Sequence, residues 1–157
     1  MRLNKLTVAL SLAALATALT SLLGARAIAD APAEVIAARQ EGFKQMGKAM
    51  KTFRDALQSK TYDRADLIAA AAVLDDHAGE ISAWFPEGSG PESGADTDAL
   101  PYIWKKPEKF TLAAQELPPT TAALVAAVPR GDMGAIKTEV MAVKDACSGC
   151  HDSFRKD

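Results

Sequence analysis

Five consecutive residues near the end of the chain, Cys147-Ser148-Gly149-Cys150-His151, are spaced for chemistry that no other stretch offers. In a helix, positions 147, 150 and 151 fall at i, i+3 and i+4, so two thiols and an imidazole share one face. Thiols at that separation can form thioethers with the vinyl groups of a porphyrin while the adjoining imidazole coordinates its iron, which is the pattern of a c-type haem attachment. Both cysteines of the protein lie in this motif. A thioredoxin-like redox pair would need a βαβ pattern that the sequence lacks. Zinc fits poorly, because three ligand-type residues crowded together with no second Cys/His cluster do not complete a tetrahedral site.

The motif needs a helix to present it, and the preceding residues predict one. Asp132 is a good N-cap, and Ile136, Val140, Val143, Cys147, Cys150/His151 and Phe154 then recur on one face, so the attachment motif continues an inward-facing stripe. Three other segments show the same period. Ile36, Arg39, Phe43, Met46, Met50, Phe53 and Leu57 step by three and four along a first helix of about seven turns, which Asp30 would cap. Gly42 and Gly47 lower its propensity by roughly 1 kcal/mol each relative to Ala, and leave room for another backbone or a flat cofactor, or are tolerated surface glycines.

A second helix is capped by Asp63 and carries Leu67, Ala71, Leu74, Ala78, Ile81 and Phe85 until Pro86 closes it. Residues 86–106 form a long Gly, Pro, Ser and Asp-rich connection, with Trp84, Phe85, Tyr102, Ile103 and Trp104 anchoring it over one end and their polar tips reaching water. Pro107 opens a third helix with Phe110, Ala113 or Ala114 and Leu117 inward. Pro118-Pro119 interrupts it, so it is kinked or split, resuming at Thr120 and ending before Pro129. There is no strand pattern or repeat. The fold class is all-α, an antiparallel four-helix bundle with a long loop between helices two and three, and the haem plane lies inside the bundle.

The N-terminus has a different character. Arg2 and Lys5 precede an apolar run from Leu6 to Leu23 and the small-residue stretch Ala25-Arg26-Ala27-Ile28-Ala29, so residues 1–29 read as a secretory signal peptide cleaved after Ala29 or Ala27, with 30–157 the folded domain. Removing its three basic residues leaves fifteen Lys and Arg against twenty Asp and Glu, a net charge of −5. Nucleic acid and anionic membrane surfaces are unsuitable partners for such a chain, and no later segment could span a membrane. His77, the one histidine outside the motif, follows Asp75-Asp76 and reads as a surface or helix-interface residue rather than a second axial ligand.

The segments Arg39-Gln40 with Phe43, Trp84-Phe85-Pro86-Glu87-Gly88-Ser89, Ala99-Leu100-Pro101-Tyr102-Ile103-Trp104 with Pro107 and Phe110, and Cys147 to His151 followed by Phe154-Arg155 occur in the order found in one family. On these residues the chain resembles cytochromes c′, over essentially the whole mature length. The resemblance implies one covalently attached haem c, export to the periplasm where that attachment is made, Arg39 paired with a haem propionate, Arg155 covering the proximal side of His151, and Phe43 on the distal side. A phenyl group cannot ligate iron, so the implied iron is five-coordinate and high-spin in an apolar pocket that admits nitric oxide or carbon monoxide. The family is associated with binding nitric oxide and with electron transfer, which implies a small gaseous ligand, a redox partner protein, or both.

Low-spin relatives place a methionine on the iron. Met46, one turn beyond Phe43, is the rival sixth ligand, with Met50 a more distant candidate; a His/Met electron carrier is the alternative reading. A homodimer through helices one and two is implied on the same ground. Enzymatic turnover of the peroxidase type is not, since no distal His/Arg pair is available.

Overall fold

The computed structural model describes residues 31–59 and 61–156; the expected signal peptide and the Asp30 cap lie outside the described residues. Among the described residues six α-helices follow one another: α1 (Ala31–Gln58), α2 (Arg64–Ala78), α3 (Tyr102–Lys105), α4 (Pro107–Gln115), α5 (Leu117–Ala127) and α6 (Met133–Phe154). Four long rods result, because α4 and α5 together make the split third helix of the bundle. Among the described residues the one β feature is an isolated antiparallel bridge between Ala99 and Arg155.

The predicted stripes are the faces that fold inward. Ile36, Met46 and Phe53 of α1, Leu67, Ala71 and Leu74 of α2, and Ile136, Val140 and Val143 of α6 are all buried. Each fully buried aliphatic or aromatic side chain contributes about 1.5–3 kcal/mol of transfer free energy, so this core rather than helix propensity holds the bundle. Asp63 accepts the Ala65 amide at 2.8 Å, and Asp132 accepts the amides of Gly134 and Ala135 at 2.8 and 3.2 Å. Caps of this kind are worth about 1 kcal/mol each and fix where α2 and α6 begin. Thr121 of α5 donates to Asp75 of α2 at 2.8 Å, pinning those two rods in register.

Two boundaries differ from the sequence expectation. The second helix does not run to Phe85. It stops at Ala78, and Gly79 leads into a 3₁₀ turn over Ile81–Trp84. Glycine loses more backbone freedom in a helix than any other residue, and here i→i+3 bonds such as Ala83 N–H to Glu80 O at 2.9 Å take over. The third helix breaks at Glu116, and both Pro118 and Pro119 sit in the first turn of α5, where a missing amide costs nothing. The helix therefore resumes three residues earlier than Thr120.

These packings leave one pair of rods loosely joined. α1 packs along α2, and α5 packs against both α2 and α6, but α1 and α6 meet sparingly. The space between them is where the attachment motif points.

Candidate haem-binding site

A cavity of about 530 Å³ opens between α1 and α6. That lies within the roughly 300–1,000 Å³ of ordinary cofactor and ligand pockets. From α6 come Cys147, Cys150 and His151, with Arg155 just past its end; from α1 come Arg39, Phe43 and Met46. All seven residues singled out from the sequence thus line a single space, although α1 and α6 lie about a hundred positions apart. Met50 lines it too; His77 does not. His77 lies instead at the α1–α2 interface, its Nε2 3.0 Å from Gln45 Oε1 and its Nδ1 3.6 Å from Glu80, as an interface histidine should.

The motif's electrostatics suit ligation by His151 and keep the free thiols protonated. Burial pushes both thiols above their ordinary range, and for Cys150 the neighbouring Cys147 adds to the effect. A protonated thiol is a poor nucleophile, so the pair has little tendency to close on itself. His151 is shifted the other way: burial, then the adjacent Arg155 charge, lowers its pKa, opposed by Asp152. The imidazole is thereby held neutral, the form with a lone pair for a metal.

Arg39 gives the sharpest test of whether the cavity fits a haem. It is 3% exposed, in the middle of an apolar stripe. Its guanidinium donates to Ser89 Oγ at 3.0 Å and to Thr97 Oγ1 at 2.8 Å, and it stacks over Phe85 at 4.5 Å from the ring centroid. Among the described residues no carboxylate lies within ion-pair distance of it. Burial lowers its pKa, and the attraction of Glu92 only partly offsets this. A buried guanidinium with no carboxylate in ion-pair reach, lining a largely apolar cavity, suits a ligand that brings its own carboxylate. A haem, with a flat apolar macrocycle and two propionates, fits both features.

Several contacts around the site could not be read from helical spacing. Ser89 and Thr97 sit in the aperiodic connection, yet Ser89 is buried, accepts from Arg39 and donates to Pro86 O at 2.7 Å. Gln40 adds a bond to Asp96 O at 3.0 Å, so Arg39-Gln40 staples the long loop to α1. The loop's other end is tied to the haem helix, with Leu100 N–H to Phe154 O at 3.0 Å and Lys156 N–H to Asp98 O at 2.7 Å. Trp104 does not send its polar tip to water: its Nε1–H donates to the carbonyls of Phe85 and Pro86 at 3.1 and 3.0 Å. The wall behind is aromatic, with Phe110 edge-on to Phe85 at 4.8 Å and to Phe154 at 5.3 Å.

A family model for cytochrome c′ matches residues 34–155. The chain belongs to the cytochrome c′ family. A cytochrome c′ of Rhodopseudomonas palustris is 34% identical over 128 residues, covering 81% of this chain and 85% of that protein. The crystal structure of cytochrome c′ from Thermochromatium tepidum superposes with a TM-score of 0.76 at 29% identity, covering 81% of this chain and 98% of that one. A nitric oxide complex of a cytochrome c′ variant from Alcaligenes xylosoxidans superposes at 0.70 with 25% identity, covering 80% and 97%. Like other cytochromes c′, this four-helix protein carries haem c covalently, and its two cysteines are Cys147 and Cys150. No helix among the described residues is long and apolar enough to cross a membrane.

Proposed function

We propose that this cytochrome c′ is an exported, periplasmic mono-haem protein whose iron has one protein ligand, His151, and whose open position takes small gaseous molecules such as nitric oxide and carbon monoxide. Bound haem supplies a redox-active iron with a coordination site for such a ligand. Cys147 and Cys150 anchor it to α6, Arg39 engages a propionate, and Arg155 shields the imidazole side. Phe43 closes the distal side without ligating. Phe43, Met46 and Met50 on the α1 side of the cavity offer no donor to hold dioxygen, and exchange of electrons with a redox partner protein remains open to the same haem.

The observation that carries this reading is the packing of Phe43. Its ring is edge-on to Trp84 at 5.0 Å and tilted against Phe85 at 6.2 Å, so two aromatic side chains fix it in the cavity wall. Met46 lines the same wall but is only 6% exposed, packed into the core as methionines at helical spacing usually are. For Met46 to serve as sixth ligand, its side chain would have to leave the core cluster in which it is packed. Accordingly Met46→Ala is expected to leave the ferric absorption spectrum high-spin and unchanged in form. Conversion from a low-spin to a high-spin spectrum in that variant would establish the His/Met alternative instead.

A homodimer through α1 and α2 belongs to the same proposal. It is supported by Ile68, which is 45% exposed on the outer face of α2 among the exposed alanines Ala65, Ala69 and Ala72. Sedimentation of the holoprotein as a dimer, and of Ile68→Glu as a monomer, is expected; a wild-type monomer at micromolar concentration would exclude it.

A further inference from the structure

Gly42, directly before Phe43, is buried in the middle of α1, where glycine costs about 1 kcal/mol relative to alanine. The contact it makes accounts for that cost. A Cβ at this position would lie 2.6 Å from Cη2 of Trp84, and 3.0 and 3.1 Å from Cζ2 and Cζ3. Real side chains do not approach so closely, so the outer edge of the indole occupies the volume that any other residue would fill. Gly47, five residues on in the same helix, has no side chain within 4 Å of the equivalent point. The notch is therefore specific to position 42.

Trp84 itself does not line the cavity. It stands behind Phe43, meeting it edge-to-face at 5.0 Å with an interplanar angle of 84°. His77 of α2 flanks the indole at 5.4 Å and 67°, and the Gln45 bond to His77 ties that ring back to α1. The indole is thus wedged between α1 and α2 with Phe43 against its edge. We infer that Trp84, seated in the Gly42 notch, is a positioning residue that sets how far the Phe43 ring projects into the cavity and hence how readily a diatomic ligand enters. Without the indole, the ring can swing back into the space behind it and widen the site. The inference rests on the proposal that Phe43 closes the distal side.

The test is a double-mutant cycle on the ferrous holoprotein, with carbon monoxide as probe and stopped-flow association as readout, alongside the C–O stretching band of the bound ligand. Trp84→Ala is expected to speed association roughly two- to tenfold, the range that one aromatic edge contact spans, and to broaden the band as Phe43 samples more positions. Trp84→Phe, which keeps a ring but not its full reach, is expected to fall between. In a Phe43→Ala background Trp84→Ala should change neither rate nor band, because nothing remains to position. Gly42→Ala displaces the indole rather than deleting it, and its effect should likewise need Phe43. Rates unchanged in Trp84→Ala and Gly42→Ala, or changed equally with and without Phe43, would overturn the inference. If Phe43→Ala alone leaves association unaltered, the distal role of Phe43 fails first, and the two failures are told apart.

Discussion

With serine at both 147 and 150, the chain is expected to lose covalent haem and, with it, its cooperative fold. The first effect is chemical, since no other thiol is present to form a thioether. The second follows from the size of the site. Without a cofactor, the apolar side chains lining a solvent-open cavity of about 530 Å³ lose their packing partner and face water, at a cost of about 25 cal/mol per Å² of apolar surface. Partial collapse of α1 onto α6 would cover some of that surface, but the buried Arg39 guanidinium would then close on apolar surface with no anion to meet it. The expected product keeps much of its far-ultraviolet helical signal while losing a sharp thermal transition and binding hydrophobic dyes. Haem staining of a denaturing gel reads the attachment, and a thermal melt reads the fold. A haem-free chain that melts cooperatively within a few degrees of the wild type would show that the bundle does not depend on its cofactor.

Phe43→Ala should produce the largest change in ligand chemistry. Forcing a ligand into a packed apolar site costs about 1–3 kcal/mol in displaced side chains, so removing the ring should speed carbon monoxide association by roughly five- to 150-fold. Stability should fall less than for a fully buried phenylalanine, because Phe43 is only partly buried and gives up mainly its contacts with Trp84 and Phe85. The ferric spectrum should stay high-spin. Rapid-mixing kinetics on the reduced variant, with a denaturant titration beside them, separate a wider pocket from a looser fold. An association rate within twofold of the wild type would mean that the ring does not guard the entrance.

Much of this arrangement was legible because it is periodic. The stripe through Arg39, Phe43 and Met46 and the stripe ending in Cys147, Cys150 and His151 each follow helical spacing, and burial of those faces brings them to one cavity. Asp63 and Asp132 announced two helix starts by their side chains alone. What escaped depends on partners far apart in sequence. Ile81 and Phe85 keep the helical stripe through a 3₁₀ turn, so spacing could not reveal that α2 ends at Ala78. Ser89, Thr97 and the Trp104 indole find their partners across the long connection, where no period exists. Gly42 stood out as costly in a helix, but only the fold shows that a tryptophan side chain, rather than a backbone or the cofactor, fills the notch.

Identity of the group at the sixth position decides between the two readings of the site. The direct measurement is the absorption spectrum of the purified holoprotein, ferric and ferrous, with and without nitric oxide. With Phe43 closing the distal side, both oxidation states should be high-spin, and the ferrous form should bind nitric oxide at once without displacing a protein ligand. A low-spin ferric spectrum with the far-red charge-transfer band of a thioether-ligated haem, together with slow nitric oxide binding, would contradict the account and place Met46 on the iron.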